Sequence, residues 1–275
     1  MPGLDREEYI EQAYFFQALA ERLQQNLATQ DLLANIKQEV LSITKLPMAI
    51  DFLAAELNLR GVMAPAMHRL AHYFAPFQTF IIEQAENDRA RFDFTIACQI
   101  LHSEAAYRAQ GPDPQGLFLF QFETLARNRL GYDRGLTAMA GDPLYDEPWR
   151  AFIRDSRRRL GVLDVADLVY LRSAYYAKQR GSAGESAPPL FGEKEGRIAL
   201  AHRRKDPLLF FAALQRHLGY PQVPRPRAPQ DPALTLPGLL RRLERLEQRI
   251  KLLEEEQKGG IDITKFYAPK PPDSA

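Results

Sequence analysis

Between Tyr220 and Gly238 the chain reads YPQVPRPRAPQDPALTLPG, with Pro221, Pro224, Pro226, Pro229, Pro232 and Pro237 closely spaced. Each proline removes a backbone donor and fixes φ, so no helix or sheet ladder runs through such a stretch. Chains of this composition act as stiff, extended spacers. The spacer divides the molecule. Whatever precedes it must bury a core of its own, and whatever follows must find its packing separately. The expected organisation is a helical body over 1–220, a spacer over 221–235, a helix over 236–258 and a tail over 259–275.

The segment after the spacer, LPGLLRRLERLEQRIKLLEEEQKGG, carries Leu236, Leu239, Leu243, Leu246, Ile250 and Leu253 at alternating steps of three and four. That is the 3.5-residue period of a coiled-coil seam. With Leu243 and Ile250 at the a positions, Leu239, Leu246 and Leu253 fall at d. Arg242 and Arg249 then occupy g, and Glu247 and Glu254 occupy e. In a parallel assembly, Arg242 meets Glu247 and Arg249 meets Glu254 of a neighbouring chain, both pairs opposite in sign. RLERLE and RIKLLE also match a short trimer-favouring pattern, whereas leucine at d with isoleucine at one a position suits a dimer. Dimer and trimer both stay open. The competing reading is that the helix folds back and spends the same leucines on its own core. An isolated helix this short needs partners of one kind or the other.

Upstream, helix follows helix. Ile10, Ala13, Phe16, Ala20, Leu23 and Leu27 line one helical face, and Leu33, Ile36, Val40 and Ile43 line another. LPMAIDFLAAELNLRG places Pro47 near a first turn and Gly61 just past an end, the usual asymmetry of helix termini. Pro65 and Pro76 mark two more starts. The second is expected to open one long helix carrying Phe77, Ile81, Ala85, Phe92, Ile96 and Ile100, stopped at Gly111-Pro112. GLFLFQF, Gly116–Phe122, is the one run with strand-favouring residues. It continues without a break into ETLARNRLG, so it too reads as helix. The fold class is all-α: a multi-helix bundle or irregular solenoid-like body followed by a C-terminal coiled-coil helix.

Three segments close alike. Phe122, Phe152 and Phe210 each precede a Leu-Gly pair by eight residues, at Leu130-Gly131, Leu160-Gly161 and Leu218-Gly219. A left-handed glycine would end each helix, with Tyr132, Val162 and Tyr220 folding back onto the last turn. Asp142-Pro143 and Asp206-Pro207 are candidate caps with proline at the first helical position. The intervals between closes differ, so convergent capping explains them better than a repeat. RGSAGESAPP, Arg180–Pro189, reads as a surface loop.

Reactive motifs are scarce. His68 and His72 lie one turn apart, but Arg69 stands where a catalytic zinc helix needs glutamate. Cys98, the single cysteine, sits in an apolar helical run without a basic neighbour in sequence. Ser156, Ser173 and Ser186 lack an elbow motif, and GEKEG lacks the phosphate-loop spacing. No metal or cofactor is therefore expected. Lys+Arg 36 against Asp+Glu 35 removes any whole-surface attraction to nucleic acid. Arg203, Arg204 and Lys205, with Arg225 and Arg227 beyond, remain a candidate local contact for phosphate. Arg157, Arg158 and Arg159 instead suit the negative end of a helix. The acidic start MPGLDREEY is unlike a secretory signal, and no stretch is long and apolar enough to cross a bilayer, which leads us to expect a soluble cytoplasmic protein.

The tail, IDITKFYAPKPPDSA, presents Ile261, Ile263, Phe266 and Tyr267 in a polar setting, as a docking peptide for a partner or the protein's own body would. A loose end with incidental hydrophobes is the plainer alternative. Adjacent aromatics such as Tyr14-Phe15-Phe16 and Tyr175-Tyr176 must either sit between helices or leave a ring exposed. The resulting expectation is a non-catalytic oligomeric adaptor or scaffold, associating with itself and with a protein partner. A nucleic-acid-associated protein is the second reading, and an enzyme with a site assembled in the helical body is the third.

Overall fold

The structure, a computed structural model, describes residues 3–23, 29–87, 92–180 and 188–225, with Leu243, Leu246, Glu247 and Ile250 farther on. Two compact units are present, Met1–Pro226 and Arg227–Ala275. In the first, the described residues form thirteen helices and no strand beyond two isolated bridges. In chain order these are α1 (Arg6–Arg22), α2 (Thr29–Glu39), α3 (Leu46–Arg60), α4 (Ala64–Arg69), α5 (Pro76–Ala85), α6 (Phe94–Arg108) and α7 (Pro114–Arg127). They continue as α8 (Tyr132–Ala140), α9 (Glu147–Arg159), α10 (Val165–Leu171), α11 (Ala174–Arg180), α12 (Glu193–His202) and α13 (Pro207–Leu218).

The all-α expectation holds for this unit, and α7 explains how it is organised. Every residue from Gly116 to Leu125 is buried. A helix apolar on all sides belongs in the middle of a core, with other helices around it. The Phe118 ring meets Trp149, Phe152 and Phe191 at centroid distances of 5.7, 5.3 and 6.1 Å, so α9 and the segment before α12 converge there. Each such ring contributes roughly 2 kcal/mol through removal from water. α8 and α13 pack on α7, α1 lies along α6, and α10 packs on α12. At Gly116 an added Cβ would run into the Tyr107 hydroxyl, so a larger residue where the start of α7 passes that α6 side chain would have to push the ring aside.

Buried polar groups on α7 are partnered. Gln121 donates to Glu104 at 2.8 Å and accepts from the Tyr145 hydroxyl at 2.9 Å. Glu123 accepts from Tyr220 at 2.7 Å and pairs with Arg127. Beside them lies a dry ionic cluster: the buried Arg108 guanidinium donates to Glu104 at 3.0 Å and to both carboxylate oxygens of Asp142. Burial works against the charged Arg108, but the Asp142 and Glu104 carboxylates outweigh it and hold its pKa well above the ordinary value.

Several local expectations need correction. The helix opened by Pro76 ends at Ala85, and α6 starts afresh at Phe94. The Glu86 carboxylate, just past α5, accepts from the backbone N–H of Ala64 at 2.9 Å and so caps α4. Asp93 caps α6 through the Ile96 N–H at 2.9 Å. Asp142 opens no helix: its carboxylate serves Arg108, and α9 begins later, capped by Asp146. Asp206 does cap α13, through Leu208 N–H at 2.9 Å. Both aspartates accept from the leucine N–H two residues on, Leu144 at 3.0 Å and Leu208 at 2.9 Å, but only the second bond opens a helix. α2 stops at Glu39, leaving Ile43 of its expected stripe exposed. Pro47 and Gly61 bound α3 as expected, with Gly61 left-handed at φ 75°.

The body's packing continues into the proline stretch. Tyr220 and Val223 are buried, and Asn128 donates to the Pro224 carbonyl at 3.2 Å. Residues 181–187 of the expected surface loop lie outside the described residues.

Candidate functional site

One of the three Leu-Gly closes, Leu160-Gly161, lines a cleft of about 460 Å³, together with Phe122 and Tyr132 from either side of the first close. Its wall comes from α7 (Phe122, Ala126), α8 (Tyr132), the α9–α10 turn (Leu160, Leu163), the start of α10 (Val165) and the start of α13 (Pro207, Phe211). Phe122 lies between two rings, with centroids 5.6 Å from Tyr132 and 6.2 Å from Phe211.

The three closes themselves differ in geometry. Gly161 and Gly219 are left-handed, at φ 98° and 69°. Gly131 is not: Arg129 takes that conformation instead, at φ 54°, and Leu130 N–H bonds back to the Leu125 carbonyl at 3.0 Å. The displaced glycine then becomes the residue before α8. Of the residues that follow, Tyr220 folds inward, its hydroxyl on Glu123 and on the Phe211 carbonyl at 3.1 Å. Burial, reinforced by the Glu123 charge, raises its pKa far above the phenol range. Tyr132 keeps one edge in solvent, and burial raises its pKa too. Val162 points away from the helix it follows and is 87% exposed, contrary to expectation, because Leu160 and Leu163 take the inward places on that turn.

Two exposed apolar side chains lie on the first turn of α13, outside the cleft lining. Leu208 and Leu209 follow Pro207 and remain in solvent, Leu209 at 56%. Charge surrounds them. Asp133 pairs with Arg157 at the mouth, and Asp164 is occupied in capping α10 through Val165 N–H at 2.7 Å. In the basic loop before α13, Arg203 pairs with Asp167 and lies 5.2 Å from the Tyr170 ring centroid, held by its own chain. Arg204 and Lys205 are exposed without an ion pair among the described residues, and so is Arg158 of α9. Arg204 adopts φ 59°, a left-handed conformation that costs a non-glycine residue energy. The structure therefore separates the three residues of the candidate phosphate contact: one is engaged and two are free.

An outer apolar stripe runs down α3. Met48, Phe52, Ala55 and Leu59 succeed one another at steps of four, three and four, opposite the face that buries Leu46, Ile50 and Leu53, with Phe52 half-buried against the core beneath the Arg69 guanidinium. Met48 and Leu59 are largely in solvent.

Farther along the chain, Leu243, Leu246, Glu247 and Ile250 are helical, and the three apolar members are 55%, 50% and 56% exposed. The remaining seam positions, Leu239, Arg242, Arg249, Leu253 and Glu254, lie outside the described residues, as do Ile261, Ile263, Phe266 and Tyr267 of the tail.

Reactive groups are not gathered in this way. No cluster of three His, Cys, Asp or Glu able to hold a metal occurs among the described residues. His68 stands 3.9 Å from Glu83, and His72 is exposed. Cys98 is wholly buried, and burial pushes its thiol up, away from the reactive thiolate. No helix among the described residues is long and apolar enough to cross a membrane.

Sequence reasoning saw the closes but not the cleft, because nothing in their spacing encodes a cavity walled by α7, α8, α10 and α13. It also missed the outer stripe of α3, although the four-three-four spacing was there to be read. Glu104 and Arg108, one helical turn apart, signalled an ion pair, but Asp142 was assigned to a cap. Compared with known proteins, the chain matches no family model, no curated protein and no solved structure.

Proposed function

We propose that the protein is a non-catalytic adaptor or scaffold, in which the leucine-seamed helix joins two or three helical bodies and each body holds protein partners on its exposed apolar surfaces. The tail around Phe266 and Tyr267 is a further contact. One observation carries this reading: Leu243, Leu246 and Ile250 are helical at seam spacing, and about half of each side chain is in solvent. Three large apolar residues on one stripe gain roughly 1 kcal/mol or more each when a neighbour covers them. Arg242 and Arg249 set against Glu247 and Glu254 make a parallel sister helix a suitable cover.

Joining bodies in this way multiplies weak contacts, since a second contact within one assembly gains about 10²- to 10⁴-fold in avidity. The exposed first turn of α13 and the outer stripe of α3 are the kind of surface such contacts use. The nucleic-acid reading loses Arg203, which its own chain holds.

The test is mass in solution by light scattering, for the full chain and for a chain ending before Leu236. The full chain is expected at two or three times 31.4 kDa, falling to a single chain on truncation. An unchanged mass ends the reading.

A further inference from the structure

We propose that α10, α11 and α12 carry a binding surface for single-stranded nucleic acid, built from arginine planes laid on tyrosine rings. The inference goes beyond the adaptor reading and does not depend on the leucine seam.

The chain's balanced total hides an uneven distribution. Residues 146–226, from the α9 cap to the end of the first unit, carry 15 Lys+Arg against 9 Asp+Glu, whereas the rest of the chain has 21 against 26. Every carboxylate is counted in full, those that cap helices included. Exposure sharpens the contrast. Among the described residues of this stretch thirteen cations are exposed, ten of them arginine, against three exposed acids, Asp146, Glu147 and Asp206. A surface of one sign attracts a partner of the other.

The rings decide which polyanion fits. Arg203 lies 5.2 Å from the Tyr170 ring centroid, Tyr170 meets Tyr176 at 5.1 Å, and Arg180 lies 5.3 Å from the Tyr176 ring. Groups from α10, α11 and the loop after α12 thus form one continuous ladder. On the next residue of α11, the Tyr175 ring takes Arg197 of α12 at 5.4 Å. The two helices come this close because Gly196 has no side chain: a Cβ there would press on Ser173 and Tyr175. The Tyr170 hydroxyl donates to Gln179 at 2.9 Å, which fixes that ring. Tyr175 and Tyr176 are half-buried, while Arg180 and Arg197 are exposed.

Pairing within the chain leaves this surface positive. Asp167 engages Arg203, and Glu193 serves Lys178 and Arg197 together. Arg180, Arg204 and Lys205 have no ion pair among the described residues, so the local balance stays positive with Asp206 counted as a full charge. Arg203, though paired, still contributes its plane above Tyr170. Guanidinium forks suit phosphate oxygens, and tyrosine and guanidinium faces suit unpaired bases. An acidic protein segment would use the charge and leave the rings idle. A duplex keeps its bases stacked on one another, so only a single strand uses both features.

The experiment is fluorescence anisotropy with the full chain and labelled single strands of about 20 nucleotides, oligodeoxythymidine and oligouridine. Salt is varied between about 50 and 200 mM. Binding is expected to weaken with a logarithmic slope of about −2 to −4, each phosphate met contributing about 0.7. Arg180→Ala with Arg197→Ala should lower affinity about tenfold or more and flatten the slope by about 1. Arg197→Lys keeps the charge of an exposed residue and loses the stacked plane. It should weaken binding about fivefold at an unchanged slope.

No binding at the low-salt end overturns the proposal, and so does binding that the double alanine variant leaves unchanged. Equal or tighter binding of a duplex of the same length would give the surface to backbone phosphate alone. Polyglutamate competing as well as the oligonucleotide would give it to an acidic protein. Either result overturns the proposal too. Mass in solution reads the seam separately: a single-chain mass with oligonucleotide binding intact is a failure of the scaffold reading alone. A two- or three-chain mass without binding is a failure of this proposal alone.

Discussion

Two helical segments of this chain are rich in large apolar residues, and they handle them in opposite ways. In α7, GLFLFQFETL is buried from Gly116 to Leu125, with rings and aliphatic chains on every side. In the segment from Leu236, most of the apolar residues fall on one narrow stripe, with Leu240 and Leu252 beside it, and the described members Leu243, Leu246 and Ile250 are about half in solvent. A helix that is apolar all round can be satisfied only by being enclosed within its own fold. A helix with a single 3.5-residue stripe is satisfied by one neighbour of the same kind. The first arrangement produces a body, and the second, on the proposed reading, offers a surface to another chain. The contrast predicts two separable phenotypes: changes around α7 should alter unfolding without altering mass, and changes on the stripe should do the reverse.

The strongest way to break that separation is at Arg108. Arg108→Ala leaves Glu104 and Asp142 charged in a dry core, and loss of about 3–5 kcal/mol is expected in denaturant unfolding. A loss below about 1 kcal/mol would mean that the cluster is hydrated or neutral. Phe118→Ala removes the ring at the centre of the Trp149–Phe152–Phe191 group and should cost about 3–5 kcal/mol, again at constant mass below the transition. Tyr220→Phe deletes a single hydroxyl and leaves Glu123 short of a donor, for an expected loss of about 1–2 kcal/mol. If Tyr220→Phe changes nothing, the proline stretch is not anchored to α7 through that bond.

The smallest effect is a pH dependence on the surface of the body. Arg22, and then the Tyr14 hydroxyl, hold the Glu39 carboxylate down at about 2. A carboxylate with a depressed pKa stabilises the fold above its unfolded value near 4.5, and that contribution disappears as pH falls through the folded value. Unfolding followed between pH 5 and 2 should therefore show a slope that Glu39→Gln reduces, with the two chains converging at the acid end. The pair is exposed to solvent, so added salt should shrink the difference.

Much of the body was legible because its signals are local. Pro47 and Gly61 bound α3 through backbone preferences that need no tertiary context. α7 was readable from the unbroken run into ETLARNRLG, which is too long for an ordinary strand. What failed depended on distant partners. Asp142 holds the Leu144 N–H as a cap would, yet no helix follows, and Arg108, 34 residues earlier, shares its carboxylate. α5 ends at Ala85, and Glu86 just past it serves the α4 terminus 22 residues before it, a role its place in the sequence does not show. Gly131 lost the left-handed position to Arg129, a residue no propensity would choose. The cleft was invisible for the same reason, since a cavity belongs to no single segment.

The seam can be tested by reversing its charges. In one full-length chain Arg242 and Arg249 become glutamate, and in another Glu247 and Glu254 become arginine. Sedimentation equilibrium is then measured on each chain alone and on an equal mixture. The account predicts that each chain alone sediments with the mass of one chain and that the mixture recovers two or three. Full-size assemblies from each variant by itself, or a single-chain mass for the unaltered protein, would contradict it.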